Sequence, residues 1–184
     1  MRLIVAAILA GIVMFAWGAV SHMVLGIGDA GITPMPNEAA VSAALKSNLT
    51  EPGLYFMPGI DMRHATEEQR TAFAAKYKEG PTAMLVYQPT GEDPMSFRQF
   101  GIQLASDMAA AFVAAMILSL AGAGFSRGVT IAALIGMASW LAINVPYWNW
   151  YRFPTNFTTA QLIDQLGRWL AAGFVLGFIL RRRN

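Results

Sequence analysis

Residues 3 to 26, "LIVAAILAGIVMFAWGAVSHMVLG", carry no formally charged side chain apart from a protonatable His22. A helix rises about 1.5 Å per residue, so a run of this length crosses the ~30 Å hydrocarbon core of a bilayer. No polar stripe recurs at helical spacing, as it would on a surface helix of a soluble domain. The stretch therefore reads as a transmembrane helix, and hydrocarbon becomes the solvent against which the rest is read. A cleaved signal sequence is the competing reading. The apolar run exceeds the ~7–15 residues of such a segment, and no small-x-small site follows at the right distance.

Three further spans follow. Residues 101 to 124, "GIQLASDMAAAFVAAMILSLAGAG", hold one acid, and residues 129 to 147, "VTIAALIGMASWLAINVPY", hold none. Residues 159 to 180, "TAQLIDQLGRWLAAGFVLGFIL", are uncharged only in their second half. The expected fold is an all-α polytopic membrane protein. Four transmembrane helices form a bundle, and a small α+β extracytoplasmic domain, residues 27–100, is inserted between the first two. Composition agrees: 55% of the 184 residues are hydrophobic and 13% charged, about half the roughly 25% usual for soluble domains.

Charge placement sets the expected orientation. Arg2, Arg127 and Arg181 to Arg183 fall on one side of the four spans, and Arg152 alone falls in the short loop on the other. The positive-inside rule then puts both termini in the cytoplasm and the 27–100 segment in the periplasm of a bacterial inner membrane. That segment has six basic and nine acidic residues. The net charge of +2 does not imply a nucleic-acid partner, because no basic stripe is present to release counterions. No cysteine occurs, which removes disulfides, thiolate metal sites and cysteine nucleophiles.

Between the first two spans, "NEAAVSAALKSNL" (37–49) reads as a helix capped by Asn37, and "TEEQRTAFAAKYKEG" (66–80) as a helix capped by Thr66. Residues 53–57 and 83–88 read as two short strands that pair. A core this small is expected to lean on the membrane helices.

Five polar residues stand out within the spans: His22, Asp107, Asn144, Asp164 and Arg168. Counted from the cytoplasmic end at about 1.5 Å per residue, they lie between about 18 and about 28 Å up, all in the outer half. Gln103 and Gln161 extend the same faces outward. A charge in hydrocarbon costs roughly 2.5–3.5 kcal/mol, so these residues are expected to turn inward and find partners. Asp164 and Arg168, spaced i, i+4, are expected to pair, with Asp107 joining from the second span. Such a cluster either pins the bundle or forms a ligand- or proton-binding pocket.

The segment "NVPYWNWYRFPTNFT" (144–158) reads as an interfacial aromatic belt of Tyr147, Trp148, Trp150, Tyr151 and Phe153, or a groove lined by those rings. Pro146 and Pro154 are expected to bracket a non-helical connection, with Asn156 or Thr158 capping the next helix. Gly173 and Gly177 form a small-residue packing face, within the bundle or toward another subunit.

Protease, hydrolase, P-loop and EF-hand motifs are absent from the sequence, and no cofactor is implied. His64, near Met62, and the scattered methionines lack the spacing of a copper site, and one intramembrane histidine is a poor haem ligand set. No metal is assigned. The reading is a non-catalytic accessory, assembly or scaffold protein. Its expected partners are the lipid bilayer and other membrane subunits, or copies of itself. The alternative is a binder or transporter of a small ligand, lipid or quinone.

Overall fold

The computed structural model describes residues 1–181; Arg182 and Arg183 of the basic terminus lie outside the described residues. Helix α1 (Arg2–Ala19) continues into a π-helical turn (Val20–Val24). There follow α2 (Glu38–Asn48), β1 (Gly53–Met57), α3 (Glu67–Glu79) and β2 (Ala83–Tyr87). Then come α4 (Phe97–Leu120), α5 (Phe125–Tyr151) and α6 (Thr155–Leu180). The chain divides into two compact units, one made of residues 1–33 and the chain from 94 onward, the other of residues 34–93.

The first unit holds the four helices long and apolar enough to cross a membrane: Arg2–Val24, α4, α5 and α6. Its packing is small inside and large outside. Ala6, Ala10, Ala111, Ala115, Ala132 and Ala172 are buried, whereas Ile4, Ile8, Val113, Leu134, Ile143 and Phe178 are exposed. In water that arrangement would be costly. In hydrocarbon, large apolar groups gain little from burial, and helices associate where small residues let backbones approach. The architecture is consistent with an integral membrane protein.

α1 packs between α4 and α6, and α6 also packs along α5. Glycines mark the crossings. A Cβ on Gly11 would lie 2.6 Å from the Met108 Cα of α4, and one on Gly136 of α5 would lie 2.8 Å from Trp169 of α6. Gly173 fits against Ala132, and Gly177 against Phe125 and Gly128. The Gly173–Gly177 face is thus used inside the bundle, against α5.

Helix limits differ from the sequence reading in instructive ways. α4 starts at Phe97 rather than 101, because Ser96 caps it by accepting from the Gln99 N–H at 3.3 Å. Pro146 does not break α5, which runs on to Tyr151. Proline removes one N–H donor, yet α5 keeps its helical course through it. The connection shrinks to residues 152–154, with Arg152 at φ +59°. α6 starts directly after Pro154, and neither Asn156 nor Thr158 caps it: the Thr158 hydroxyl donates instead to the Pro154 carbonyl at 3.1 Å.

In the second unit, β1 and β2 pair antiparallel from Gly53↔Tyr87 to Met57↔Ala83. α3 carries a full capping box: Thr66 Oγ1 accepts from the Gln69 N–H, and Gln69 Oε1 accepts from the Thr66 N–H at 2.9 Å. Its Tyr77 stacks on Phe56 of β1, with ring centroids 6.3 Å apart. Asn37 stands at the start of α2 with φ +51°, and its side chain makes no capping bond. Tyr87 alone is buried among residues 34–93.

Candidate functional site

The polar residues of α4 and α6 meet inside the first unit. Asp107 is 3% exposed and Asp164 4%. Arg168 Nη1 lies 3.3 Å from Asp107 Oδ1. Gln103, one turn before Asp107 on α4, donates to both of its oxygens at 3.2 Å. The expected pairing of Arg168 with Asp164 gives way to this inter-helix pair. Asp164 is held instead by α1: Trp17 Nε1 donates to its Oδ1 at 3.0 Å and to its main-chain oxygen at 3.1 Å. Gly167 makes this possible, since any Cβ there would occupy the Trp17 ring. Each carboxylate thus has its own donor from another helix, and α1, α4 and α6 are tied at one level.

The other sequence candidates lie apart. His22 is exposed and pairs with Asp29 at 3.1 Å, in the segment that follows α1. Gln161 only reaches the Gly28 carbonyl at 3.5 Å. Asn144 is half-buried and joins no hydrogen bond of the cluster. Trp17 is the member the sequence reading missed. Two buried atoms, Ser21 Oγ and Arg168 Nε, make no hydrogen bond.

The aromatic segment forms a tiled surface. Tyr147 lies 5.6 Å from Tyr151 and 5.3 Å from Phe153, which lies 5.6 Å from Phe157. Trp148 and Trp150 are exposed. The Trp148 N–H donates to Thr155 Oγ1 at 3.2 Å. Rings that cover one another in this way, with a polar tip satisfied, suit a membrane–water boundary.

The second unit has an open cleft of about 400 Å³, lined by Asp61, His64, Gln69, Phe73 and Lys76 among others. His64 Nδ1 lies 2.7 Å from Asp61 Oδ2. That contact first, then the Arg63 backbone N–H, holds the Asp61 carboxyl below its ordinary titration range. A carboxyl lowered in the folded state stabilises it above the unfolded value, and the contribution is lost as pH falls through the folded one. Replacing His64 by alanine is expected to raise the Asp61 titration midpoint toward the ordinary range, read by carboxyl-carbon NMR. An unmoved midpoint would mean the contact is not made. Comparison of the chain with protein-family models, with curated proteins and with solved structures finds no match.

Proposed function

We propose that this chain is a non-catalytic membrane accessory, assembly or scaffold protein that binds a partner through residues 34–93. In this reading both termini are cytoplasmic and that unit is periplasmic, at a bacterial inner membrane. The arginine distribution supports the orientation.

One observation carries the partner reading. Leu54 and Val86 face each other across the β1–β2 ladder and are 67% and 74% exposed. A directly opposed apolar pair left in solvent, on a two-stranded sheet with open edges, is a surface suited to a partner. The Gly173–Gly177 face supplies no second docking surface, because α5 already covers it.

The test is purification of the full chain at native expression level. A stoichiometric partner is expected, and Leu54→Glu with Val86→Glu is expected to lower its recovery about tenfold or more, since each buried Leu or Val contributes about 1.5–3 kcal/mol. Unchanged recovery from a folded double variant would overturn the reading. A second reading, a small polar ligand in the bundle, is favoured by the unpartnered Ser21 Oγ and Arg168 Nε. A monodisperse chain that carries a bound small molecule and no protein partner would support it instead.

A further inference from the structure

The end of the bundle where α1 begins and α6 finishes has a different chemistry from the polar cluster. Arg2 Nη2 donates to the Ile179 carbonyl at 2.6 Å and to the Arg181 carbonyl at 3.3 Å. The first residue of α1 therefore satisfies carbonyls that the end of α6 leaves without helical partners. A cleft of about 390 Å³ opens here, lined by Arg2, Phe178, Ile179 and Arg181. The Arg181 guanidinium carbon sits 4.5 Å from the centroid of the Phe178 ring.

No Asp or Glu occurs in residues 1–28, 108–163 or 165–184. Asp164 lies seventeen positions up α6 from Arg181, about 26 Å along the axis. Within residues 1–28, 108–163 and 165–184 the guanidinium charges at this end therefore have no side-chain carboxylate to neutralise them. Arg127, near the start of α5, is exposed and adds to the excess.

A second, apolar groove of about 420 Å³ shares Phe178 and Ile179 with the first and extends over Phe125, Phe174 and Val175. The Phe125 and Phe174 rings lie 5.9 Å apart on its floor. The arginine-lined cleft and the apolar groove thus adjoin at Phe178 and Ile179.

We propose that this end binds one anionic glycerophospholipid. Its headgroup phosphate sits between Arg2 and Arg181, and an acyl chain lies along Phe125, Phe174 and Phe178. Charge complementarity selects the occupant: guanidinium recognises phosphate through paired N–H donors, and basic pockets between membrane helices take anionic headgroups. The adjoining apolar groove suits an acyl chain, which a free phosphate lacks. A zwitterionic headgroup would bring a choline ammonium against two arginines.

The full chain in detergent is titrated with dioleoyl phosphatidylglycerol or dioleoyl phosphatidylcholine, and lipid-bound species are counted by native mass spectrometry. The first lipid is expected to bind about thirtyfold more tightly than the second, given about 1 kcal/mol for each of the two arginines. Arg2→Gln with Arg181→Gln is expected to abolish the preference. Arg181→Gln alone, which keeps the Arg2 bonds to α6 and so the packed end of the bundle, is expected to lose about half of it on a logarithmic scale. Arg127→Gln, outside the cleft, is expected to retain it. Equal binding of the two lipids, a retained preference in the double variant, or an equal loss in Arg127→Gln would overturn the assignment.

Discussion

Replacing Asp107 by alanine is expected to destabilise the bundle by about 3–5 kcal/mol, the cost of removing one partner from a buried ion pair. The loss has two parts. Gln103 loses the acceptor for its amide, and the Arg168 guanidinium is left without a counter-charge at a position where its side chain is 20% exposed. Arg168 has one recourse: Asp164, four positions earlier on the same helix. Trp17 already donates to one oxygen of that carboxylate, so the recovery is partial and the cost moves toward the lower end of the range. Reversible unfolding of the purified chain in mixed micelles measures the change. The companion variant, Asp107→Ala with Arg168→Met, is expected to regain the part due to the uncompensated guanidinium and not the part due to the Gln103 amide, because no unpaired charge is then buried. If alanine at 107 cost less than about 1 kcal/mol, the pair would be behaving as a solvated surface contact and would not pin α4 to α6.

The four long helices and the two-stranded sheet were legible because hydrophobic run length and strand propensity are local properties. Helix ends were less so. "SFRQ" at 96–99 is a capping signal that places the start of α4 earlier than hydropathy does. Pro146 misleads because helix breaking by proline is a local tendency that tertiary context overrides. That Asp107, Asp164 and Arg168 need partners inside the bundle was legible, but which partner each takes was not. Spacing along α6 favours Asp164 with Arg168, whereas the rotation of α4 about its axis, invisible in sequence, brings Asp107 to the arginine instead. Trp17 left one hint: an indole N–H in the middle of an apolar span needs an acceptor. The small-residue ladder Gly128, Ala132, Gly136 on α5 was equally readable at four-residue spacing, and it shows why Gly173 and Gly177 find their partner within the chain.

Gly11→Leu is expected to destabilise the bundle by more than about 3 kcal/mol, beyond the usual range for overpacking. The reason is what opposes it. A Cβ at this position would lie 2.6 Å from the Cα and 2.8 Å from the backbone nitrogen of Met108. A side chain can rotate away, but the backbone of α4 cannot, so the two helices must part along a seam that also buries Ala7, Met14, Ala111 and Ala115. α1 carries the Trp17 bond to Asp164 as well, and displacing the helix endangers that contact. Alanine separates sterics from helix propensity. Gly101 of α4 has nothing within 4 Å of its would-be Cβ. Gly101→Ala is therefore expected to be neutral or stabilising by up to about 1 kcal/mol, the helix preference for alanine over glycine. Gly11→Ala makes the same chemical change and is expected to destabilise by about 1–3 kcal/mol. Opposite signs in the unfolding midpoints of the two alanine variants, measured side by side, are the signature of a backbone-to-backbone crossing. Equal shifts would mean that α1 and α4 stand farther apart than a glycine contact requires.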